Sequence, residues 1–460
     1  MTTGCAKLDG DLAVFRSLAT MAPASADALA TQLRSASARV WEADLADYDI
    51  DGLKAHAHAA LDDMFEARLA LRERIGDWYM AGLMTPDVVR ALRNVFRDGR
   101  YATDMLGELL FNYALYKDGD EPLAGFAGGP LLTLTNPKFG PDGWVDYQAG
   151  DVLLVRGTTA NSAAIARSGD VDSQFSHVGL VHLDKAGKVT IVEALIESGG
   201  SLTPIDKALD GLSRAVLLRP RDKRIGAYAA ALARAYIERS RTGRLPRIPY
   251  DFSMRPDGYR QLFCSKLVKF AYSAATNGAL ILPSFGTQLA MQNRTFFEQI
   301  GVQTVDTFAP ADIELEPGFD VVAEWRDFRK TPRIRLQDVA MDSMFAWMDG
   351  YGDRLKNDWL SVSVGVFGRI AARLPGPIKR SLSSILPEVP THMKRRAISA
   401  VYMLHRTVKA MADEASDIER QSIRDTGRPL HPRDVLAHYE TMRDRGRGQI
   451  SYLTGPWTRR

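Results

Sequence analysis

The hydrophobic pattern of this chain changes period twice, and that change limits its architecture more than any single residue does. Residues 11–117 carry apolar side chains at three- and four-residue spacing, the repeat of helices. Thr85-Pro86-Asp87 is a helix start, with a capping hydroxyl followed by proline at the first helical position. "TPDVVRALRNVFRDG" and "YATDMLGELLFNYALY" read as two successive helices. Gly and Pro then break the pattern over residues 123–143, which marks a boundary.

Between 150 and 220 the period becomes that of short strands. "GDVLLVRG", "FSHVGLVHL", "KVTIVEAL" and "RAVLLRP" are β-branched and bounded by turn residues. "TPIDKALDG" reads as a short helix, "DKRIGAYAAALARAYIERSRTGRLP" as a long one ending at Gly243, and "FDVVAEWRDF" as another strand. Beyond 340 the pattern is helical again, interrupted by Pro375, Pro377, Pro387 and Pro390. A chain of 460 residues exceeds one ordinary core. The pattern therefore predicts an α+β unit over 141–335, between a helical N-terminal region, 1–140, and a helical C-terminal region, 336–460.

The net charge of +3 gives no case for nucleic-acid binding. The charge is uneven, however: residues 351–460 hold 20 Lys and Arg against 11 Asp and Glu. A basic region of this kind is a solvated helical face or a surface for an acidic partner or membrane. "WLSVSVGVFGRIAARLPGPIKRSLSSIL" (359–386) is open to two readings, a peripheral membrane contact or a core helix of a C-terminal bundle. The chain opens without an apolar secretory segment, and no run is long enough for a membrane span, so a cytoplasmic location is the default expectation.

Two cysteines cannot build a disulfide framework. Cys264 lies where an irregular stretch gives way to the helical pattern of "FCSKLVKFAY". A lone cysteine is commonly a small buried hydrophobe. At a helix start, though, the dipole and unpaired N–H groups favour a thiolate and a developing oxyanion. A base must come from eight histidines, four of them in the C-terminal region. His56 and His58 are two apart on a helix and make a poor metal pair. His177 and His182 share one strand on opposite faces. If Lys185-Ala186-Gly187 is a three-residue hairpin loop with Gly187 left-handed, position 177 lies opposite 195. Glu193 then sits diagonally beside His177, and His182 faces away. A carboxylate inside a strand this apolar needs such a partner.

Taken in order, "GDVLLVRG", "FSHVGLV", "VTIVEAL", "LTPIDKAL", "VLLRP", "YDF" and "FCSKLVKFAY" resemble the circularly permuted papain-like hydrolases of the NlpC superfamily, the YiiX/YebB group. The resemblance covers about residues 145–330 and implies an antiparallel sheet whose histidine strand precedes the cysteine helix. It implies Cys264 as nucleophile, His177 as base and Glu193 as its orienting partner. Tyr250, Ser176 and Ser265 follow as wall or oxyanion candidates. Lys266 stands where the common form has Glu, a departure that bears on substrate preference.

The expected chemistry is acyl transfer through a thioester, with no cofactor and no metal. The acyl donor is a peptide or peptidoglycan-type amide, or alternatively a lipid ester handled at a membrane surface. A third reading is an inactive binding module. Peptidoglycan lies outside the cytoplasm, so that substrate requires export by a dedicated secretion system, as for a secreted effector.

Overall fold

The structure, a computed structural model, describes residues 4–111, 133–141, 143–244, 247–289, 294–356 and 395–456. The proposed membrane segment 359–386 therefore lies outside the described residues, as does part of the boundary at 123–143.

Four N-terminal helices come first: α1 (Gly4–Thr20), α2 (Ala26–Glu42), α3 (Ile50–Met80) and α4 (Pro86–Phe111). The expected pair of helices after Thr85 is one helix, α4. Gly99 does not end it, because Val95 and Phe96 before it and Leu106 and Leu109 after it enter one core. That burial outweighs the roughly 1 kcal/mol by which a mid-helix glycine is disfavoured.

The central sheet has seven strands: β1 (Thr133–Thr135), β2 (Val152–Gly157), β3 (His177–Leu183), β4 (Val189–Leu195), β5 (Gly199–Pro204), β6 (Leu212–Pro220) and β9 (Phe319–Arg326). Their spatial order is β1-β9-β6-β2-β3-β4-β5, with every neighbouring pair antiparallel. Two small strands, β7 (Thr287–Gln288) and β8 (Asp306–Thr307), pair separately. β1 and β5 escape the sequence reading, which assigns Thr203 and Pro204 to a helix. They close β5 instead, paired with Ile191 and Thr190, and only Ile205–Ala208 is helical (α6). Proline suits that place, at the end of an edge strand.

Strand alternation gives the sheet two buried faces. Leu153, Val155, Val181, Ile191 and Leu217 join the core built with α1–α4. Val152, Leu154, Val178, Leu180 and Val192 join a second core with α7 (Lys223–Arg241) and α8 (Cys264–Ala275). Ala229, Ala230 and Ala233 of α7 are fully buried there, small enough to let the helix settle closely on its neighbours. The third core joins α5 (Ala160–Ala166), α9 (Thr295–Ile300) and α10 (Thr331–Gly350) to two C-terminal helices, Arg395–Thr426 and Pro432–Arg445. No helix among the described residues is long and apolar enough to cross a membrane.

Candidate active site

The hairpin between β3 and β4 decides which histidine the site receives. Gly187 has φ of +77°, and Leu183 pairs with Val189, so Lys185–Gly187 is the three-residue loop. The register runs Leu180–Val192, which places 177 opposite 195 and Glu193 on the diagonal from His177. His177 Nε2 lies 2.7 Å from Glu193 Oε2. Gly179 stands between them on that face: a Cβ there would lie 2.3 Å from Ile191 and 3.6 Å from the Glu193 side chain. His182 turns to the other side, where Arg234 Nη1 donates to its Nδ1 at 3.1 Å.

α8 begins at Cys264 itself. Phe263 holds the extended N-cap position (φ −101°, ψ 171°) and no side chain caps the helix, so its first-turn N–H groups remain for an anion. The preceding loop is tied alongside: Asp251 N donates to Leu262 O at 3.0 Å and Leu262 N to Pro249 O at 3.1 Å. These bonds form the parallel bridge between Tyr250 and Leu262 that holds Tyr250 beside the cysteine.

Cys264 is a free thiol, 4% exposed, near enough to His177 for each to shift the other's protonation, while His177 is hydrogen-bonded to Glu193. With Nε2 committed to Glu193, Nδ1 is the nitrogen left for sulfur. Burial pushes the thiol up, but the bonds from His177, from the Ser265 hydroxyl (3.8 Å) and from the Val178 N–H outweigh it, and Cys264 is held below its ordinary value. Burial opposes charge on His177 too, yet Cys264 and Glu193 raise the imidazole to about 10. For Glu193, burial raises the carboxyl and the bonds to His177 and Thr203 lower it, with a net fall. All three shifts favour a thiolate–imidazolium–carboxylate chain.

Thr203 is the participant that sequence reasoning missed. Its hydroxyl donates to Glu193 Oε1, leaving Oε2 for His177. Recognising β5 as a strand would have found it, since Glu193 pairs with Ser201 and Thr203 is two residues on, on the same face. Ser176 lines the cavity in front of the thiol but is also structural: its hydroxyl accepts from Gly157 N at 3.2 Å, stitching the start of β3 to β2. Tyr250 and Ser265 line that cavity as well. Burial, with Cys264 and Glu197 nearby, keeps the Tyr250 hydroxyl protonated and so a donor.

Lys266 does not face substrate. It is 1% exposed, and its Nζ donates to Asp251 Oδ2 at 2.7 Å. The same carboxylate accepts from Ser253 N at 2.9 Å and Ser253 Oγ at 2.6 Å. The departure at this position therefore bolts the Tyr250 loop to the cysteine helix.

The cavity measures about 600 Å³. Its walls include Phe252, Phe296, Phe297 and Ile300, with Ile398 and Leu404 of the long C-terminal helix. A smaller cavity of about 290 Å³, lined by Tyr48, Tyr101 and His431, lies among the N- and C-terminal helices and contains none of the site residues. No group of three or more His, Cys, Asp or Glu among the described residues is arranged to hold a metal.

Residues 146–313 match the model of the permuted papain-like amidase family (YaeF/YiiX, C92). That region is similar to the permuted papain-like amidases. The order of its parts agrees, with the histidine strand β3 ahead of the cysteine helix α8. The general chemistry of this papain-like domain is that of a cysteine hydrolase of the amidase type. No curated protein and no solved structure matches the chain.

Proposed function

We propose that the papain-like domain cleaves an amide through an acyl-thioester on Cys264. The thiolate attacks the carbonyl carbon, and the oxyanion is received by the first-turn N–H groups of α8 and the Tyr250 hydroxyl. The C–N bond breaks as the His177 imidazolium gives its proton to the departing amine. Water then attacks the thioester, His177 takes its proton, and the S–C bond breaks to release the acid. Glu193, steadied by Thr203, holds the imidazole and stabilises its charge throughout.

The observation that carries this reading is the His177 imidazole, hydrogen-bonded to Glu193 and charge-coupled to Cys264, with the thiol lowered despite its burial. Peptide and peptidoglycan-type amides suit the chemistry. A lipid acyl substrate is the second reading, favoured by the phenylalanine-rich walls of the cavity. An electrophilic thiol probe tests the proposal against an inactive binding module. Labelling at Cys264, lost in both Cys264→Ala and His177→Ala, is the expected outcome. Labelling at Cys264 that is indifferent to His177 would sink it.

A further inference from the structure

The long helix Arg395–Thr426 lies outside the residues that match the papain-like family, yet it forms one wall of the catalytic cavity. It packs on both α5 and α9, which line the same space. Its contribution changes character along its length. Ile398, Val401 and Leu404 are apolar, and His405, Arg406 and Lys409 follow within the next five residues. Residues 406 and 409 are neighbours on one helix face.

These basic groups are poorly satisfied within the protein. Arg406 has no ion-pair or hydrogen-bond partner among the described residues, and its side chain is exposed. Lys409 pairs with Asp413, but that carboxylate also serves Arg333 at 3.4 Å. Two buried polar atoms on residues lining the cavity, His405 Nδ1 and Asn161 Oδ1, lack a hydrogen-bond partner among the described residues. Such atoms are costly unless something from outside completes them. Glu197 is the one carboxylate among the described lining residues, against three basic side chains on the C-terminal helix. The cavity thus has an electropositive end on the C-terminal helix and an apolar stretch at Phe252, Phe296, Phe297 and Ile300, at a volume within the range of about 300–1,000 Å³ usual for small-molecule sites.

We infer that the C-terminal helix selects, for the thiol chemistry proposed above, an amphiphilic amide with an apolar chain and an anionic carboxylate or phosphate group. The scissile carbonyl lies at Cys264, the chain runs along Phe252, Phe296, Phe297 and Ile300, and the anion meets Arg406 and Lys409. His405 and Asn161 supply the uncharged hydrogen-bonding groups beside it. Cleavage yields one carboxylic acid and one amine from amide and water, and needs no other reactant.

Three probes decide it, each below its micelle concentration with the full-length protein: N-dodecanoylglycine, N-dodecanoylphosphoethanolamine and the uncharged N-dodecanoylethanolamine. Released dodecanoate gives kcat/KM for each. At least one anionic probe is expected to exceed the neutral one by about 10-fold or more, the worth of one charge-assisted contact. The carboxylate and phosphate arms show which anion the site takes. The preference should collapse in Arg406→Ala/Lys409→Ala. In Arg406→Glu it should turn toward the cationic N-dodecanoylethylenediamine, a gain that misfolding cannot produce. Equal use of charged and neutral probes, unchanged in these variants, overturns the inference while leaving the thiol chemistry intact. Wild-type turnover in Cys264→Ala overturns the catalytic reading alone. If no probe is cleaved, calorimetric binding to Cys264→Ala decides: preference for an anionic probe supports the inference, and equal or absent binding overturns it.

Discussion

The sheet carries two clusters of paired charges that look similar on paper and differ in access. On the N-terminal side, Arg68 of α3 grips Glu324 of β9 at 2.6 Å, and Asp104 of α4 takes Arg326 at 2.7 Å and Arg214 beside it. Their side chains are at most 7% exposed. At the other end of the sheet, His177 and Glu193 are paired just as closely, at 2.7 Å, with Cys264 beside them, but 23% of the His177 side chain stays open beside a large cavity. Sealed pairs have nothing to react with and set the position of helices on strands. The open chain ends in a group that can change its bonding, a thiol. Pairing alone therefore does not mark a site; pairing with a cavity and an unsaturated end does.

The sharpest way to break this contrast is to remove the middle of the open chain. His177→Ala should lower kcat/KM by about 10⁴-fold or more. It should also raise the alkylation half-point of Cys264, because burial is then opposed only by the Ser265 hydroxyl and the Val178 N–H. Iodoacetamide rates against pH measure this. In the wild type the raised imidazole gives the opposite limb: its protonation stabilises the fold fully below the unfolded value of 6.5, and that contribution is lost as pH rises through about 10.

The sealed cluster should respond in stability and not in reactivity. Glu324→Ala leaves buried guanidinium charge uncompensated and should cost about 3–5 kcal/mol in chemical denaturation. Alkylation of Cys264 in the molecules that stay folded should keep its wild-type rate. A matching loss of thiol reactivity would erase the distinction between the clusters. Glu193→Gln keeps shape but removes the charge that favours imidazolium, so kcat/KM should fall by about 10²-fold with a smaller change in stability. Thr203→Val removes one hydrogen bond to that carboxylate, and about 1 kcal/mol, or roughly five-fold in kcat/KM, is expected. Steady-state kinetics on one amide substrate measures both.

Much of the site was legible because strand parity is a local, discrete property. Once Gly187 ends a three-residue loop, the face of every residue in β3 and β4 is set, and with it the choice of His177 over His182. The helix start at Cys264 was equally local, a change of period after turn residues. Thr203 was hidden because its segment carries a short helix-like pattern after Pro204, and only pairing with β4 shows it as strand. α4 was split at Gly99 for a related reason, since local propensity cannot weigh the core that holds both halves.

The sequence by itself determined the α+β class and, given a three-residue loop at Lys185–Gly187, the strand parity that sets Glu193 beside His177; Cys264 was grouped with them only through the ordered motifs that resemble the permuted papain-like hydrolases. Only the tertiary structure decided what distant segments do to one another. Lys266 meets Asp251 across a loop, the N-terminal helices complete one face of the sheet, and a helix more than a hundred residues after Cys264 walls its cavity. Those contacts depend on which surfaces remain to be buried once the sheet exists, and no local periodicity records that.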